Sequence, residues 1–357
     1  MKATASSVHH LVHDYQQAGI GDLTSLGPLH RGAQVLVVGD GNFSYSRALL
    51  RAQSTRAGAS EIIVTATSLD TERQLLEMYP NSRRLLAELR DRGVQVRHGV
   101  DATKLPSYFT QNSADPVTFD RIVFNFPHYA GQGRVGDKTV RNKIHRHRQL
   151  LVDFFASASQ VLARDGQIWV TLCAGQGGTK LERSPRAAGD TWRIVHCAAA
   201  AKLVLQDAHF SPVDALTDLG YYSVGYQARE KAFWTNDSIT HVFCHEGPGR
   251  KACFPIEWTR DVSFWITDEL SFSEALLQDI VRDHFAPETM TVAMSLQDEY
   301  RCKQSCQKAV TYRLAISSSK LALTRAHVNV LTEKALTAIE SSCFGASRRT
   351  TVVSDVE

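Results

Sequence analysis

The chain lacks several features that mark secreted, membrane or zinc-dependent proteins. Its 357 residues include only seven cysteines, which are irregularly spaced and form no CxxC pair. This pattern argues against a disulfide framework and against a cysteine-paired zinc site. No stretch approaches the roughly 20 apolar residues that a membrane span needs, and no signal peptide is recognisable. We therefore expect reduced thiols, no membrane partner and an intracellular protein.

A strong positive charge is also missing. The formal net charge is only +3, so the protein is not basic over its whole surface. The glycine-rich segment at 177–180, GGTK, lacks the Gly-Lys-Ser/Thr ending of a phosphate loop. Nucleotide hydrolysis is therefore excluded as the function of this segment.

The most informative stretch is VLVVGDGNFSYS, at residues 35–46. Four apolar residues predict a buried strand, which glycine ends at once. Gly39 and Gly41 allow a tight turn and a close approach to a ligand, and Asn42 or Ser44 can cap the following helix. Strand, glycine turn and helix N-terminus hold nucleotides in doubly wound α/β folds. Because such turns also occur for geometric reasons alone, the next strands decide between the two interpretations.

Acids follow the next two predicted strands. Asp70 comes after the strand at 62–66, and Asp101 after the strand near 94–96. The first acid is placed to accept hydrogen bonds from ribose hydroxyls, and the second to bind an adenine amino group. One such acid alone would be read as a helix cap. Two of them after a glycine turn favour a nucleotide-containing cofactor.

A fourth predicted strand, at 120–124, runs directly into Asn125-Phe126-Pro127-His128. Proline ends the strand because it has no N–H to donate to the ladder. Asn125 and His128 are therefore expected at the carboxyl edge of the sheet, where ligands bind in open α/β folds. Strands and helices alternate over this part of the chain, which predicts a mainly parallel sheet.

These residues resemble the uridine-N3 ribosomal RNA methyltransferase-like family. The resemblance lies in GDGNFSYS, TATSLD, DATKL, DRIVFNFPH, RHRQLL and WVTL, and it runs from about residue 33 to 243. VTLCAGQGGT, Trp192 and GYQAREKAFW with HVF resemble the subgroup that has an appended ferredoxin-fold anticodon-binding domain. The NFPH loop departs from the Asn/Asp-x-Pro-aromatic loop of nitrogen-directed methyltransferases by placing His128 at the aromatic position. The resemblance implies a doubly wound, seven-stranded α/β methyltransferase sheet that uses S-adenosylmethionine and acts on RNA.

The C-terminal third has a pattern of its own. The helix and strand patterns are interrupted around Pro248, Gly249 and Pro255, which predicts a linker. The order strand, helix, strand, strand, helix, with room for a last strand near 350–353, suits a split βαβ sandwich. RDVSFW, DEY and VTYRL resemble the ferredoxin-fold anticodon-binding domain that ends phenylalanyl-tRNA synthetases. We expect a helical extension over 1–30, the methyltransferase domain over 31–246 and an α+β ferredoxin-like domain over 255–353.

The expected function is an S-adenosylmethionine-dependent RNA methyltransferase, with N3 of a uridine in ribosomal RNA as its target. This nitrogen must lose its proton at or before methyl transfer, so a nearby base is useful. His128 is the predicted base, and a purely structural role in the loop is the alternative. Asn125 is expected to hold the uracil edge and Phe126 to stack on the flipped base. Two other functions stay open: a tRNA-directed enzyme selected by the C-terminal domain, and a non-catalytic RNA-binding ribosome-assembly factor.

The remaining predicted site residues fall into two groups. The cofactor site draws on the glycine turn and the two acids: Gly39, Asp40, Gly41, Asn42, Phe43, Ser44, Asp70, Asp101 and Ala102. The basic run after NFPH is expected to contact RNA phosphates: Lys138, Arg141, Lys143, Arg146 and Arg148. A charge run is ordinarily a solvated helix face, but its place beside the substrate loop favours RNA. No metal is expected, the expected partner is rRNA or tRNA, with a ribosome-assembly intermediate as a further candidate, and the nucleus or nucleolus is favoured over the cytoplasm.

Overall fold

The structure, a computed structural model, divides the chain into two compact units. They are Met1–His245 and Glu246–Glu357, and each has a buried apolar core. The described residues are 20–55, 61–111, 116–129, 140–224, 234–285, 288–344 and 346–348, without the side chains of 20–21 and 140–142. Residues 1–19 of the predicted helical extension lie outside these ranges, and helix α1 (Ile20–Thr24) is its described part.

The first unit is built on one sheet, which has seven strands among the described residues. In chain order they are β1 (Ala33–Val38), β2 (Ile62–Thr67), β3 (Gln95–Arg97), β4 (Phe119–Asn125), β5 (Leu162–Leu172), β6 (Leu203–Phe210) and β7 (Ile239–His245). The spatial order is β3-β2-β1-β4-β5-β7-β6, with β7 antiparallel to both its neighbours and every other pair parallel. The predicted α/β class and the seven-stranded sheet are thereby confirmed.

Helices cover both faces of this sheet, which makes the fold doubly wound. They are α2 (Ser44–Thr55), α3 (Glu72–Met78), α4 (Ser82–Asp91), α5 (Leu105–Phe109), α6 (Val140–Ala158), α7 (Ile194–Ala199) and α8 (Val213–Asp218). Leu49 of α2 and Leu86 of α4 share a buried cluster with Val37. On the opposite face Phe154 of α6 packs against Phe124, with ring centroids 4.9 Å apart.

The central position of β1 explains its unbroken apolar run. Val35 to Val38 are at most 2 % exposed, because β2 and β4 flank the strand and helices cover both its faces. Strands buried on both faces carry continuous rather than alternating apolar residues. The register that pairs Val38 with Phe124 then fixes where β1 and β4 end relative to each other.

The second unit has the order β8 (Glu257–Ile266), α9 (Glu274–His284), β9 (Thr291–Arg301), β10 (Lys308–Ser317), α10 (Arg325–Glu340) and β11 (Ala346–Arg348). Its strands form an antiparallel sheet in the order β11-β8-β10-β9. This is the split βαβ arrangement of ferredoxin-like domains, as predicted. The last strand begins at Ala346, which joins the core beside Phe344, whereas the predicted 350–353 lies outside the described residues.

In the described part of the chain, none of the helices combines the length and the apolarity that a membrane span requires.

Candidate active site

The glycine turn and the NFPH loop lie side by side at the carboxyl edge of the first sheet. Val38 and Phe124 are paired neighbours in β1 and β4, so Gly39 and Asn125 leave the sheet next to each other. A Cβ on Gly39 would lie 3.0 Å from the Phe124 ring, and the φ of Gly39 is +60°. Any side chain at Gly39 would therefore be strained and would collide with the strand that delivers the loop.

Within the glycine turn, Asp40 serves the helix that follows. Its buried carboxylate accepts hydrogen bonds from the backbone N–H groups of Tyr45 and Ser46 and from the Ser46 hydroxyl. A carboxylate at a helix N-terminus satisfies donors that have no partner inside the helix. Burial raises the pKa of Asp40 to about 6, against the lowering effect of the Ser46 hydrogen bonds. Asp40 therefore stabilises the turn and the start of α2 through buried hydrogen bonds.

The next three residues complete the turn. Asn42 Oδ1 accepts from the Ser44 N–H, while Asn42 Nδ2 is buried with no hydrogen-bond partner in the described ranges. Phe43 is fully buried at φ +66°. The Ser44 hydroxyl donates to the Tyr222 carbonyl oxygen. Gly41 faces Val224, whose Cγ2 would lie 3.0 Å from an added Cβ.

The acids after β2 and β3 have different surroundings. Asp101 caps the short 3₁₀ turn Ala102–Lys104, since its Oδ1 accepts from the Thr103 N–H and hydroxyl. The helix after Asp70 is instead capped by Thr71. Burial raises the pKa of the half-buried Asp70 carboxyl, and His98 opposes this effect. The simple capping role therefore describes Asp101 but not Asp70.

His98 supports the loop that carries Asp70. The Ser68 hydroxyl donates to the Asp70 carbonyl oxygen at 2.7 Å and lies 3.0 Å from His98 Nδ1. The Phe43 ring meets His98 edge-on, with centroids 5.4 Å apart. The glycine turn and the acid of β2 are thus connected through one packed histidine.

Asn125 is held by Thr171 and lies near Tyr45. Its Oδ1 accepts from the Thr171 hydroxyl at 2.8 Å, and its side chain is close enough to the Tyr45 hydroxyl to affect the pKa of that phenol. Burial raises the pKa of that phenol, so Tyr45 stays protonated at neutral pH. Since Tyr45 follows the glycine turn, the predicted cofactor turn and the predicted substrate loop are neighbours here.

Phe126 lies in the core. It is 7 % exposed, belongs to the cluster beneath the glycine turn and has a φ of +50°. The only sequence-predicted ring for stacking is thus turned away from solvent. Tyr129, 41 % exposed, lies at the other end of the loop with the Arg146 guanidinium 5.7 Å from its ring centroid. Positive φ at both Phe43 and Phe126 places backbone strain at the two turns of the site.

His128 lies against a second histidine. His128 Nδ1 is 3.2 Å from His147 Nε2, and His147 Nδ1 is 2.7 Å from the Lys143 carbonyl oxygen. Burial, followed by the charges of His147 and Lys143, lowers the pKa of His128 to about 4. Burial also lowers the pKa of His147. Both rings are therefore neutral at physiological pH.

The 173–193 segment packs behind His147. The Trp192 ring stacks on His147 with centroids 4.3 Å apart and an angle of 22°, and the Trp192 N–H donates to the Gln176 carbonyl oxygen. Glu182 fills the glycine-rich turn itself, since its carboxylate accepts from the N–H groups of Gly175 and Gly177. This turn thus holds an internal carboxylate rather than a phosphate.

The members of the basic run have different environments. The Arg148 guanidinium donates to the carbonyl oxygens of Ala188, Gly189 and Thr191. Lys143 is exposed, and Arg146 lies over Tyr129. Lys138 and the side chain of Arg141 lie outside what the structure describes.

The sequence analysis missed five residues of this site: Tyr45, His98, Tyr129, His147 and Trp192. His147 had a readable signal, because it lies four residues before Leu151 and seven before Phe154 on the buried face of α6. A histidine on an apolar helix face needs a polar partner inside the protein. The contacts of the other four residues depend on packing against distant parts of the sequence, which no local pattern predicts.

The site can hold S-adenosylmethionine. Asn42 Nδ2 is a buried donor that a ligand oxygen would satisfy. Asp70 offers acceptors for ribose hydroxyls, and the Asp101 oxygen that does not cap Thr103 offers one for an amino group. Within the described ranges no group of three or more His, Cys, Asp and Glu side chains is arranged to hold a metal ion.

Several curated proteins are similar to this chain. The ferredoxin-fold anticodon-binding domain-containing protein 1 of Homo sapiens is 35 % identical over 217 residues, which cover 60 % of this chain and 31 % of that protein. Its Mus musculus homolog is 35 % identical over 215 residues, with the same coverage. The chain thus matches about a third of the length of these relatives.

Solved methyltransferases align at low similarity. A TehB-like S-adenosylmethionine-dependent methyltransferase from Corynebacterium glutamicum is 16 % identical with a TM-score of 0.33, covering 68 % of this chain and 100 % of that one. TrmN from Thermus thermophilus is 17 % identical with a TM-score of 0.35, covering 63 % and 48 %.

The comparison with protein-family models falls on the site itself. Residues 36–213 match the BMT5-like family, described as rRNA (uridine-N3-)-methyltransferase BTM5-like. This segment contains both turns, both acids and the His128–His147 pair. The match confirms the resemblance read from the sequence and the predicted cofactor, S-adenosylmethionine. Through residues 36–213, the chain belongs to the BMT5-like family of methyltransferases.

Proposed function

We propose that this protein methylates N3 of a uridine in RNA, with ribosomal RNA as the first candidate. The observation that carries the proposal is the pairing of Val38 with Phe124 at the carboxyl ends of β1 and β4. It places the glycine turn beside the loop that holds His128, so a cofactor and a base would meet at one edge. The description of the matching family supports uridine N3 as the target.

Three polar groups of this chain would hold the cofactor. Asn42 Nδ2 is placed to donate to a carboxylate oxygen, Asp70 to accept from ribose hydroxyls and Asp101 to accept from the adenine amino group. Gly39 and Gly41 leave room for Phe124 and Val224 to pack closely against the turn. S-adenosylmethionine supplies an electrophilic methyl group, and the bonding pair of the broken C–S bond stays on sulfur.

The chemistry at uracil requires a proton acceptor. N3 is neutral and protonated, and its lone pair is delocalised into the ring. In the proposed step the N3–H bond breaks, the proton goes to His128, and the electron pair left on N3 forms the bond to the methyl carbon. General-base assistance of this kind is typically worth about 10²- to 10⁴-fold in rate.

Asn125 and Tyr129 are proposed to hold the base. The Thr171 hydroxyl fixes the Asn125 amide, which can then pair with the polar edge of uracil. Because Phe126 is buried, we propose Tyr129 as the ring that stacks on the target base. An exposed ring beside a cation is a common platform for unpaired nucleotides.

Phosphate contacts are proposed for the members of the basic run other than Arg148. Lys143 is exposed and Arg146 lies beside Tyr129, and Lys138 and Arg141 complete the proposed set. Arg148 is left out, because carbonyl oxygens take up its guanidinium donors. Such contacts position RNA without reading its sequence.

A tRNA is the second candidate substrate. The relatives are named for a ferredoxin-fold anticodon-binding domain, and the second unit of this chain has the ferredoxin-like strand order. Trp265 and Tyr300 pack edge-to-face, with centroids 5.9 Å apart, on the sheet face opposite the one that Val262 and Phe264 give to the core. Aromatic rings on an open sheet can stack on unpaired bases.

The first prediction concerns cofactor binding. Asp70→Ala removes a charge-assisted acceptor worth about 1.5–3 kcal/mol, so the Kd for S-adenosylmethionine should rise about 10- to 100-fold. Isothermal titration calorimetry measures this Kd. The control is Asp165→Ala, because Asp165 is an exposed acid near the amino end of β5. The raised pKa means that ionised Asp70 does not favour the fold, so the melting temperature should not fall. Unchanged affinity in Asp70→Ala would remove Asp70 from the cofactor site.

The second prediction tests the reaction. With S-adenosylmethionine and uridine-containing RNA, the wild type should form N3-methyluridine, and His128→Ala should lower kcat by about 10²- to 10⁴-fold with cofactor affinity unchanged. The control is His145→Ala, an exposed histidine of α6. A parallel loss of cofactor binding in His128→Ala would make His128 a structural support of the loop.

The pH dependence of the same assay is part of this prediction. Since the pKa of His128 is about 4, the ring is unprotonated at neutral pH, and kcat/KM should show no inflection near the ordinary histidine pKa of about 6.5. The rate should fall only as the pH drops towards 4. The deficit of His128→Ala should shrink at alkaline pH, where uracil N3 ionises unaided.

The third prediction separates two neighbouring arginines. Arg146→Ala should weaken RNA binding and reduce the slope of log K against log salt by about 1, without lowering the melting temperature. Arg148→Ala should leave that slope unchanged and destabilise the fold by about 1–3 kcal/mol, because three carbonyl groups lose a charged donor. RNA titrations across a salt series and urea unfolding measure both effects. If instead Arg148→Ala reduced the salt slope and Arg146→Ala left it unchanged, Arg148 rather than Arg146 would contact phosphate.

A further inference from the structure

The ring of His128 makes a defined contact on the side of its Nδ1 atom. His147 of α6 lies there, with Nε2 at 3.2 Å and the ring centroids 4.8 Å apart. His147 itself is only 2 % exposed. One of the two ring nitrogens in this contact must donate and the other must accept.

The backbone of α6 decides which ring donates. His147 Nδ1 lies 2.7 Å from the Lys143 carbonyl oxygen, and a carbonyl oxygen can only accept. His147 therefore carries its proton on Nδ1, and in a neutral imidazole Nε2 then has the lone pair. His128 must donate from Nδ1 to that lone pair. Its own lone pair is consequently on Nε2.

The surroundings keep this geometry in place. Trp192 stacks on His147 at 4.3 Å and is itself tied to Gln176 through a backbone hydrogen bond. Arg148 clamps the carbonyl groups of Ala188 and Thr191, next to Trp192. The His147 ring thus has a fixed orientation, and the direction of the two hydrogen bonds is set by the protein rather than by solvent.

We propose that His147 is a positioning residue that fixes the tautomer of His128, so that Nε2 of His128 receives the N3 proton of uracil. The proposal rests on the proposed function, since it names the atom that serves as base. After the proton moves from N3 to Nε2, the Nδ1–H of the cationic His128 ring still donates to His147. A second group that holds a catalytic imidazole in one tautomer is an established device of acyl-transfer triads. Here a neutral histidine and a backbone carbonyl take that role.

The pH behaviour of the pair follows from the groups that face it. Lys143 and His147 both act electrostatically on His128, and Lys143 also acts on His147. Protonating His147 at low pH would place a hydrogen on His147 Nε2. That atom could then no longer accept the hydrogen bond from His128 Nδ1. The described tautomer is therefore a property of the neutral pair.

The test is nuclear magnetic resonance of ring nitrogens in protein labelled with ¹⁵N-histidine. In the wild type at neutral pH, His128 should be protonated on Nδ1. Its Nε2 should show the ¹⁵N chemical shift of an unprotonated ring nitrogen. His147→Phe keeps a ring for Trp192 to stack on but has no acceptor, so the His128 signals should move to the Nε2–H tautomer or to a mixture. His145→Phe, at an exposed position of the same helix, should leave them unchanged.

Kinetics provide the second readout. His147→Phe should lower kcat by about 10²-fold, with the KM for RNA and the Kd for S-adenosylmethionine unchanged. His147→Gln puts an amide oxygen near the former Nε2, so it should restore the His128 tautomer and recover part of kcat. A structural role alone would not produce this recovery.

The outcomes separate this proposal from the proposed function. A wild-type His128 protonated on Nε2, or a tautomer unchanged by His147→Phe, overturns the proposal whatever the enzyme does. The predicted tautomer switch together with no methyl transfer by the wild type supports the role of His147 in setting the tautomer and overturns the proposed function instead. The switch together with the kcat loss and its recovery in His147→Gln supports both.

Discussion

The parallel pairing of β1 with β4 is the constraint on which the site depends. Because Val38 pairs with Phe124, the two strands end together, and the turns that follow them open at one edge. Gly39 has room there only without a side chain. A shift of one residue in β4 would exchange the faces of Asn125 and Phe126. Register thus decides which side chain lies at this edge of the sheet.

Local patterns in the sequence were enough to predict the framework. The apolar run of β1 is continuous because the strand is buried on both faces, and glycine and proline end β1 and β4 through their own backbone geometry. The βαββα order of the second unit is likewise readable from periodicity and turn residues. These features follow from short stretches of chain, and the structure confirms the seven-stranded and ferredoxin-like sheets.

The burial and contacts of individual side chains were harder to predict, because they depend on residues that are distant in the sequence. Phe126 turns into the core beneath the glycine turn, and Arg148 is taken up by carbonyl groups about 40 residues away in the chain. Neither fact is visible in the NFPH tetrapeptide or in the charge run. His147 could have been found from its position on the apolar face of α6, but its contact with His128 could not.

The central claim is that this sheet edge methylates uridine N3 in RNA. The most direct measurement is mass spectrometry of nucleosides from purified rRNA and tRNA of cells with and without the gene. The account predicts that N3-methyluridine at one rRNA position disappears with the gene and returns with the wild-type protein but not with His128→Ala. An unchanged N3-methyluridine content in both RNA classes would contradict it.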